Sequence, residues 1–254
     1  MYLYLVDQHL HPGKTATTLA RIESRLIELG INGKMEKLSV LKSVKELVQD
    51  QVREGMKTVV AIGTDALLRQ LIAVAAPLNL VVGFIPLGSP IHLAKVFGMP
   101  EAADACDVLS ARIIKKVDMG KVNHHYFFSS LEIEHPAVRM TCDGKYQIHI
   151  RSDEPQISVC NFGNIFHGAF GREDLSNPCD GYLEVVIRRS RRRSFFNGDA
   201  AERDSVFPFK KLTIHAQRES VKLVADHEQV VSTPATVEVV PQKLKIIVGK
   251  SRWF

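Results

Sequence analysis

Paired cysteines are missing from this sequence. Cys106, Cys142, Cys160 and Cys179 stand far apart, with no Cys-x-x-Cys or other metal-ligand spacing. That argues against a zinc module or a disulfide framework and for reduced thiols in a cytosolic protein. Long apolar runs are also missing: none reaches the roughly 18 residues that a membrane-crossing helix needs, so any membrane contact is expected to be peripheral. The opening MYLYLVDQ has neither a basic stretch before its apolar residues nor a small-residue cleavage site after them, and reads as a first strand, not a signal peptide. Ten histidines, including His9, His11 and the pair His124-His125, show no metal-binding spacing. The charge excess is small. A net charge of +5 suits anionic partners such as nucleotides, acidic lipid or nucleic acid without choosing among them, and 45% hydrophobic content over 254 residues excludes disorder and supplies a core.

What is present is organised around residues 57–100. Two apolar β-branched runs, 58–62 and 80–85, each end in a glycine-containing turn, Gly63-Thr64-Asp65 and Leu87-Gly88-Ser89, and each leads into a helical pattern. That alternation predicts a parallel α/β sheet, whose ligands gather at the carboxyl ends of the strands. Upstream, residues 2–6 read as a strand and 7–14 (DQHLHPGK) as a turn into a helix marked by Leu19, Ile22, Leu26 and Ile27. Gly13-Lys14 there is either a phosphate-facing pair at a helix start or an ordinary turn. A second strand at 34–38 precedes a helix through Val44, Leu47, Val48 and Val52. After about residue 120 the texture changes to short strand candidates: 126–130, 137–142, 146–150, 156–160, 183–188, 211–216, 220–224, 236–240 and 243–248. Turn residues such as Asp143-Gly144 separate them. This pattern predicts an antiparallel sandwich, giving an α/β domain over 1–119 and an all-β domain over 120–254.

With both halves placed, the chain resembles the diacylglycerol kinase and sphingosine kinase catalytic family. The family's Gly-Gly-Asp-Gly-Thr turn corresponds to Gly63-Thr64-Asp65-Ala66-Leu67, and its Pro-Leu-Gly-Thr-Gly-Asn-Asp turn to Pro86-Leu87-Gly88-Ser89-Pro90-Ile91-His92. Further matches are Gly120-Lys121-Val122-Asn123, Asn161 with Gly168, Asp180-Gly181-Tyr182-Leu183-Glu184-Val185 and Asp226-His227-Glu228. The resemblance implies a nucleotide-binding α/β domain of the NAD kinase and diacylglycerol kinase type followed by a β-sandwich. It also implies transfer of the γ-phosphate of ATP, with Mg2+, to a lipid hydroxyl.

The resemblance assigns roles, and each has a plainer counterpart. Gly63, Thr64, Asp65, Gly88 and Ser89 would face the nucleotide, with Asp65 also catalytic. Yet Asp65 also suits a helix N-cap, and Ser89 a simple turn. Thr64, Ala66 and Leu67 replace two glycines and a hydroxyl of the family, Pro90 removes an N–H, and Ile91 and His92 replace Asn-Asp, so most polar contacts expected for ATP are lost from these turns. Asp180, with the carbonyls of Asn177 and Tyr182, would hold magnesium, or Asp-Gly is only a tight turn. Glu228 would be the general base, or a solvated turn residue. Arg188, Arg189, Arg191, Arg192 and Arg193, beside Phe195-Phe196, suit an anionic membrane surface at the inner membrane face, a solvated loop or, least of all, nucleic acid. Three functions follow: a lipid kinase of weak or no activity, a catalytically dead relative binding a ligand, lipid or protein partner, and a nucleic-acid binder. The lipid and the oligomeric state stay open.

Overall fold

The computed structural model describes residues 1–39, 43–150, 155–162, 177–188, 204–227 and 229–254. The chain groups into two units, residues 1–117 with 242–254, and residues 118–241.

In the first unit, β1 (Tyr2–Val6), β2 (Lys34–Lys37), β3 (Thr58–Gly63) and β4 (Val81–Pro86) lie parallel in the order β2-β1-β3-β4. Every residue of β3 is buried. A central strand covered on both faces needs apolar side chains at successive positions, which is why Val59, Val60, Ala61 and Ile62 form an unbroken run. The helices are α1 (Pro12–Glu28), α2 (Val44–Arg53), α3 (Asp65–Ala75), α4 (His92–Phe97) and α5 (Ala105–Ala111). α2 starts on a capping box: the Ser43 hydroxyl accepts from the Glu46 N–H, and the Glu46 carboxylate accepts from the Ser43 N–H at 3.0 Å. Strand register then fixes the site geometry. Val6 lies opposite Ile62 and Gly63 opposite Pro86, so Asp7, the 63–65 turn and the 87–91 turn leave the sheet side by side.

The second unit has two antiparallel sheets. One runs β12 (Ser205–Phe209), β11 (Leu183–Arg188), β10 (Gln156–Cys160), β7 (Ser130–Ile133), β14 (Lys222–Ala225), β15 (Gln229–Ser232). In the other, the first half of β16 (Ala235–Ile247) is followed by β13 (Lys211–Ala216), β8 (Val138–Cys142) and β9 (Tyr146–Ile148); β5 (Ile114–Val122) pairs with β16 and with β6 (His125–Phe127). Leu131, Val159, Val185 and Leu223 of the first sheet share one apolar core with Met140, Leu212, Ile214 and Val237 of the second, which makes the unit a β-sandwich.

Some bounds differ from expectation: the strand expected over 126–130 is divided between β6 and β7. The stretches 236–240 and 243–248 are a single strand, and its end leaves the sandwich: Lys245 and Ile246 pair parallel with Val81 and Val82 of β4. The domain expected over 120–254 therefore loses residues 242–254 to the first unit. The physical reason is that β4 would otherwise present an open edge of the parallel sheet, and the tail buries Leu244, Ile246, Ile247 and Val248 there. The first crossing falls at Val117 and Asp118, inside β5.

Candidate functional site

The two turns of the first unit are held together by carboxylates. Asp65, the first residue of α3, is fully buried. Its carboxylate accepts from the His92 N–H at 2.7 Å and the Leu93 N–H at 3.2 Å, and its own N–H donates to the Pro90 carbonyl at 2.9 Å. Asp65 thus caps the start of α4, the helix after the second turn, and not its own helix. Burial raises the pKa of this carboxyl, while the N–H groups of Leu93 and His92 act in the opposite direction.

Beside it, Asp7 fills the space over the first turn. Its Oδ2 accepts from the Thr64 hydroxyl at 2.8 Å and its Oδ1 from the His9 N–H at 3.0 Å. A Cβ on Gly63 would lie 2.5 Å from the Asp7 Cβ, so only glycine permits this approach. Over the second turn, Leu10 takes the equivalent place, 3.2 Å from where a Cβ of Gly88 would stand. The Leu87 N–H donates to the Gly63 carbonyl at 2.9 Å, and Ser89-Pro90 is cis. Leu67 is buried, whereas Ile91 is half-buried. Sequence reasoning missed Asp7. The signal was there, since an acid immediately after β1 must stand beside the first residue of the β3 turn.

The second unit carries a different polar assembly. In the turn before β11, the Tyr182 N–H donates to Asp180 Oδ1 at 2.9 Å, the Cys179 N–H to Asn177 Oδ1 at 3.1 Å and the Asp180 N–H to the Asn177 carbonyl at 3.4 Å. Buried Asp118 fixes this turn from behind: its Oδ2 accepts from the Gly181 N–H and its N–H donates to the Pro178 carbonyl. Asn161 donates to the carbonyls of Asp118 and Phe128 at 2.7 and 3.1 Å, leaving its buried Oδ1 with no partner among the described residues. Asp226 accepts from the Phe128 and Ser129 N–H groups, each at 2.7 Å, and from the Ser129 hydroxyl at 2.6 Å. The next residue, His227, has φ 62°, a left-handed conformation that glycine adopts without strain. Its Nδ1 lies 3.5 Å from Glu132 Oε1.

Residues 3–122 match the model of the diacylglycerol kinase catalytic domain. The first part of the chain is thus similar to the catalytic domain of the diacylglycerol kinases. A diacylglycerol kinase structure from Bacillus anthracis str. Sterne is similar over 98% of this chain and 97% of its own, with a TM-score of 0.79 at 18% identity. Two further structures from that organism carry the same description provisionally, with TM-scores of 0.81 and 0.77 at 18% and 17% identity; each covers 98% of this chain, and 97% and 96% of their own. At such identities the likeness establishes the shared fold. None of the curated proteins matches the chain.

Within the diacylglycerol kinase family ATP and magnesium are the implied groups, and the two fare differently here. Phosphate cradles work by leaving main-chain N–H groups aimed at the ligand. Those of Asp65, His92 and Leu93 are all bonded within the protein, and Asp7 and Leu10 stand against the two glycines, so the turns as arranged do not fit a nucleotide phosphate. Magnesium finds a better donor set. One oxygen of the exposed Asp180 is committed to the turn, and the other, with main-chain carbonyls and water, is of the hard-oxygen type this cation takes. The orphaned Asn161 acceptor, linked to the turn through Asp118, is a further oxygen of that type. Among the described residues no group of three His, Cys, Asp or Glu side chains gathers as a metal cluster.

Of the remaining candidates, Glu228 and Arg189, Arg191, Arg192 and Arg193 lie outside the described residues. Arg188 ends β11, with its Nε 3.1 Å from Asp204 Oδ2, so its charge is balanced within the protein. No helix among the described residues is long and apolar enough to cross a membrane.

Proposed function

We propose that this chain is a member of the diacylglycerol kinase family that binds a glycerolipid bearing a free hydroxyl and does not use ATP at its two turns. One observation supports it above the others: the Asp65 carboxylate is spent on the N–H groups of His92 and Leu93, which removes both the acid and the donors a bound nucleotide needs. The alternative, an ATP-dependent kinase transferring the γ-phosphate to a diacylglycerol-like hydroxyl, draws support from the second unit. There the Asp180 turn offers hard oxygen donors, and Asp226 pins the turn that leads to Glu228. In that reading Asp180, with the carbonyls of Asn177 and Tyr182, holds magnesium, which would stabilise charge on the transferring phosphoryl group. Glu228 takes the hydroxyl proton, and the arginine run meets anionic lipid.

Calorimetry with millimolar ATP and magnesium, together with phosphoryl transfer to diacylglycerol in mixed micelles, separates the two. No heat and no phosphorylated lipid, with saturable binding of diacylglycerol vesicles, is the expected result. Measurable ATP binding accompanied by lipid phosphorylation would overturn it in favour of the kinase.

A further inference from the structure

The first unit contains a cavity of about 730 Å³ that shares no residue with the two turns. It lies between the end of α4, α5 and the C-terminal tail, and its walls are hydrocarbon: Met99, Pro100, Val108, Ala111, Ile113 and Val248. The tail is seated there by backbone. The Val248 N–H donates to the Ile113 carbonyl at 2.9 Å, the Gly249 N–H to the Phe97 carbonyl at 2.8 Å and the Trp253 N–H to the Val96 carbonyl at 3.0 Å. Contact is so close that a Cβ on Gly249 would fall 1.9 Å from the Gly98 carbonyl oxygen. The cavity wall is therefore fixed by hydrogen-bonded main chain.

Three charged residues line the cavity, and their balance identifies what it takes. Asp107 is paired with Arg25, whose Nη2 lies 2.6 Å from its carboxylate and whose Nη1 is shared with Glu28 at 2.8 Å. Lys95 and Lys250 are exposed, and neither has an acidic partner among the described residues. The apolar walls favour an occupant with a hydrocarbon body, and the two ammonium groups favour a single acidic end. The volume lies inside the range of roughly 300–1,000 Å³ typical of small-molecule sites. We infer that this cavity binds a long-chain fatty acid, its chain among the aliphatic walls and its carboxylate between Lys95 and Lys250. This site stands apart from the lipid proposed for the family function, and neither reading depends on the other.

Trp253 lines the same cavity and is the single tryptophan of the chain, so its emission reports occupancy directly. Titrating the full-length protein with oleate below its micellar concentration should give a saturable change in Trp253 emission. Monooleoylglycerol, with the same chain and no charge, should give none. The double variant Lys95→Gln, Lys250→Gln changes only exposed side chains and should weaken oleate binding roughly tenfold, the combined effect of two surface ion pairs. Ala111→Phe should block the cavity, with an unchanged melting temperature showing that the fold is intact. Equal binding of oleate and monooleoylglycerol, a response that never saturates, or undiminished oleate binding by the glutamine variant would each overturn the assignment. Loss of diacylglycerol vesicle binding with oleate binding retained would count against the proposed function alone.

Discussion

Replacing Asp65 tests whether this acid is a structural cap or a nucleotide ligand. The carboxylate makes hydrogen bonds at 2.7 and 3.2 Å to two main-chain N–H groups, each worth about 1.5–3 kcal/mol when the acceptor is charged. Against this stands the cost of burying the charge, which exceeds what the N–H groups return, because the net effect is a raised pKa. Asp65→Ala leaves the His92 and Leu93 donors orphaned while also removing that cost, for a net loss of about 2–4 kcal/mol. Asp65→Asn keeps one acceptor and loses the charge, so its loss is about 1 kcal/mol or less. Urea titration followed by Trp253 emission measures both, since that residue belongs to the first unit. The pH dependence has a definite sign. A carboxyl whose folded pKa lies above its ordinary 3.8 contributes stability that is fully present below 3.8 and lost as the pH rises through the folded value. The wild type should therefore lose stability relative to Asp65→Asn as the pH is raised from about 4, until Asp65 is fully ionised. Unchanged urea midpoints in Asp65→Ala, or parallel pH profiles for wild type and Asp65→Asn, would refute the cap. If Asp65 were instead a nucleotide ligand, Asp65→Asn would leave stability alone and weaken binding of magnesium and ATP.

Other positions give shorter tests. Asp226→Ala should cost about 3 kcal/mol or more, because it strands the N–H groups of Phe128 and Ser129; hydrogen exchange at those two amides should accelerate, and unaltered protection would count against the assignment. His227→Gly should stabilise the protein by about 0.5–1 kcal/mol by relieving a left-handed φ, seen as a raised melting temperature; a lowered one would refute the strain. Burial pushes the Cys106 and Cys160 thiols up to about 11 and raises that of Cys142, whereas Cys179 is exposed. Alkylation of native protein at pH 8 should modify Cys179 alone by mass spectrometry, and rapid labelling of any other cysteine would contradict the burial described.

The fold was legible wherever burial imposes a period. The unbroken run 58–62 marks a strand covered on both sides, and the alternation in 211–216 marks a sheet with one inner face. Short edges carried little such signal: β12 offers only Phe207 and Phe209, with Pro208 between them, and β15 is mostly exposed. The return of the tail to β4 was hidden for another reason. A strand's own residues do not say which sheet edge will accept it, and 243–248 suits a sandwich as well as a parallel sheet.

Site residues were legible as letters and not as contacts. Asp65 is the one acid that the first turn shares with the family pattern, and the structure gives it an architectural use, since without Asn-Asp at the start of α4 something else must satisfy the His92 and Leu93 N–H groups. The letter alone therefore argues little for nucleotide chemistry. His227 supports the opposite inference. There the family's glycine is replaced by histidine, yet the backbone is left-handed, at a cost of about 1 kcal/mol for a residue with a side chain. Asp226 holds the turn in that shape through its bonds to Phe128 and Ser129. Strain held in place by a hydrogen-bonded, half-buried carboxylate points to a turn whose geometry matters. The second unit is accordingly where ligand contact is to be sought first, and the closed turns of the first unit are where phosphoryl transfer is least expected.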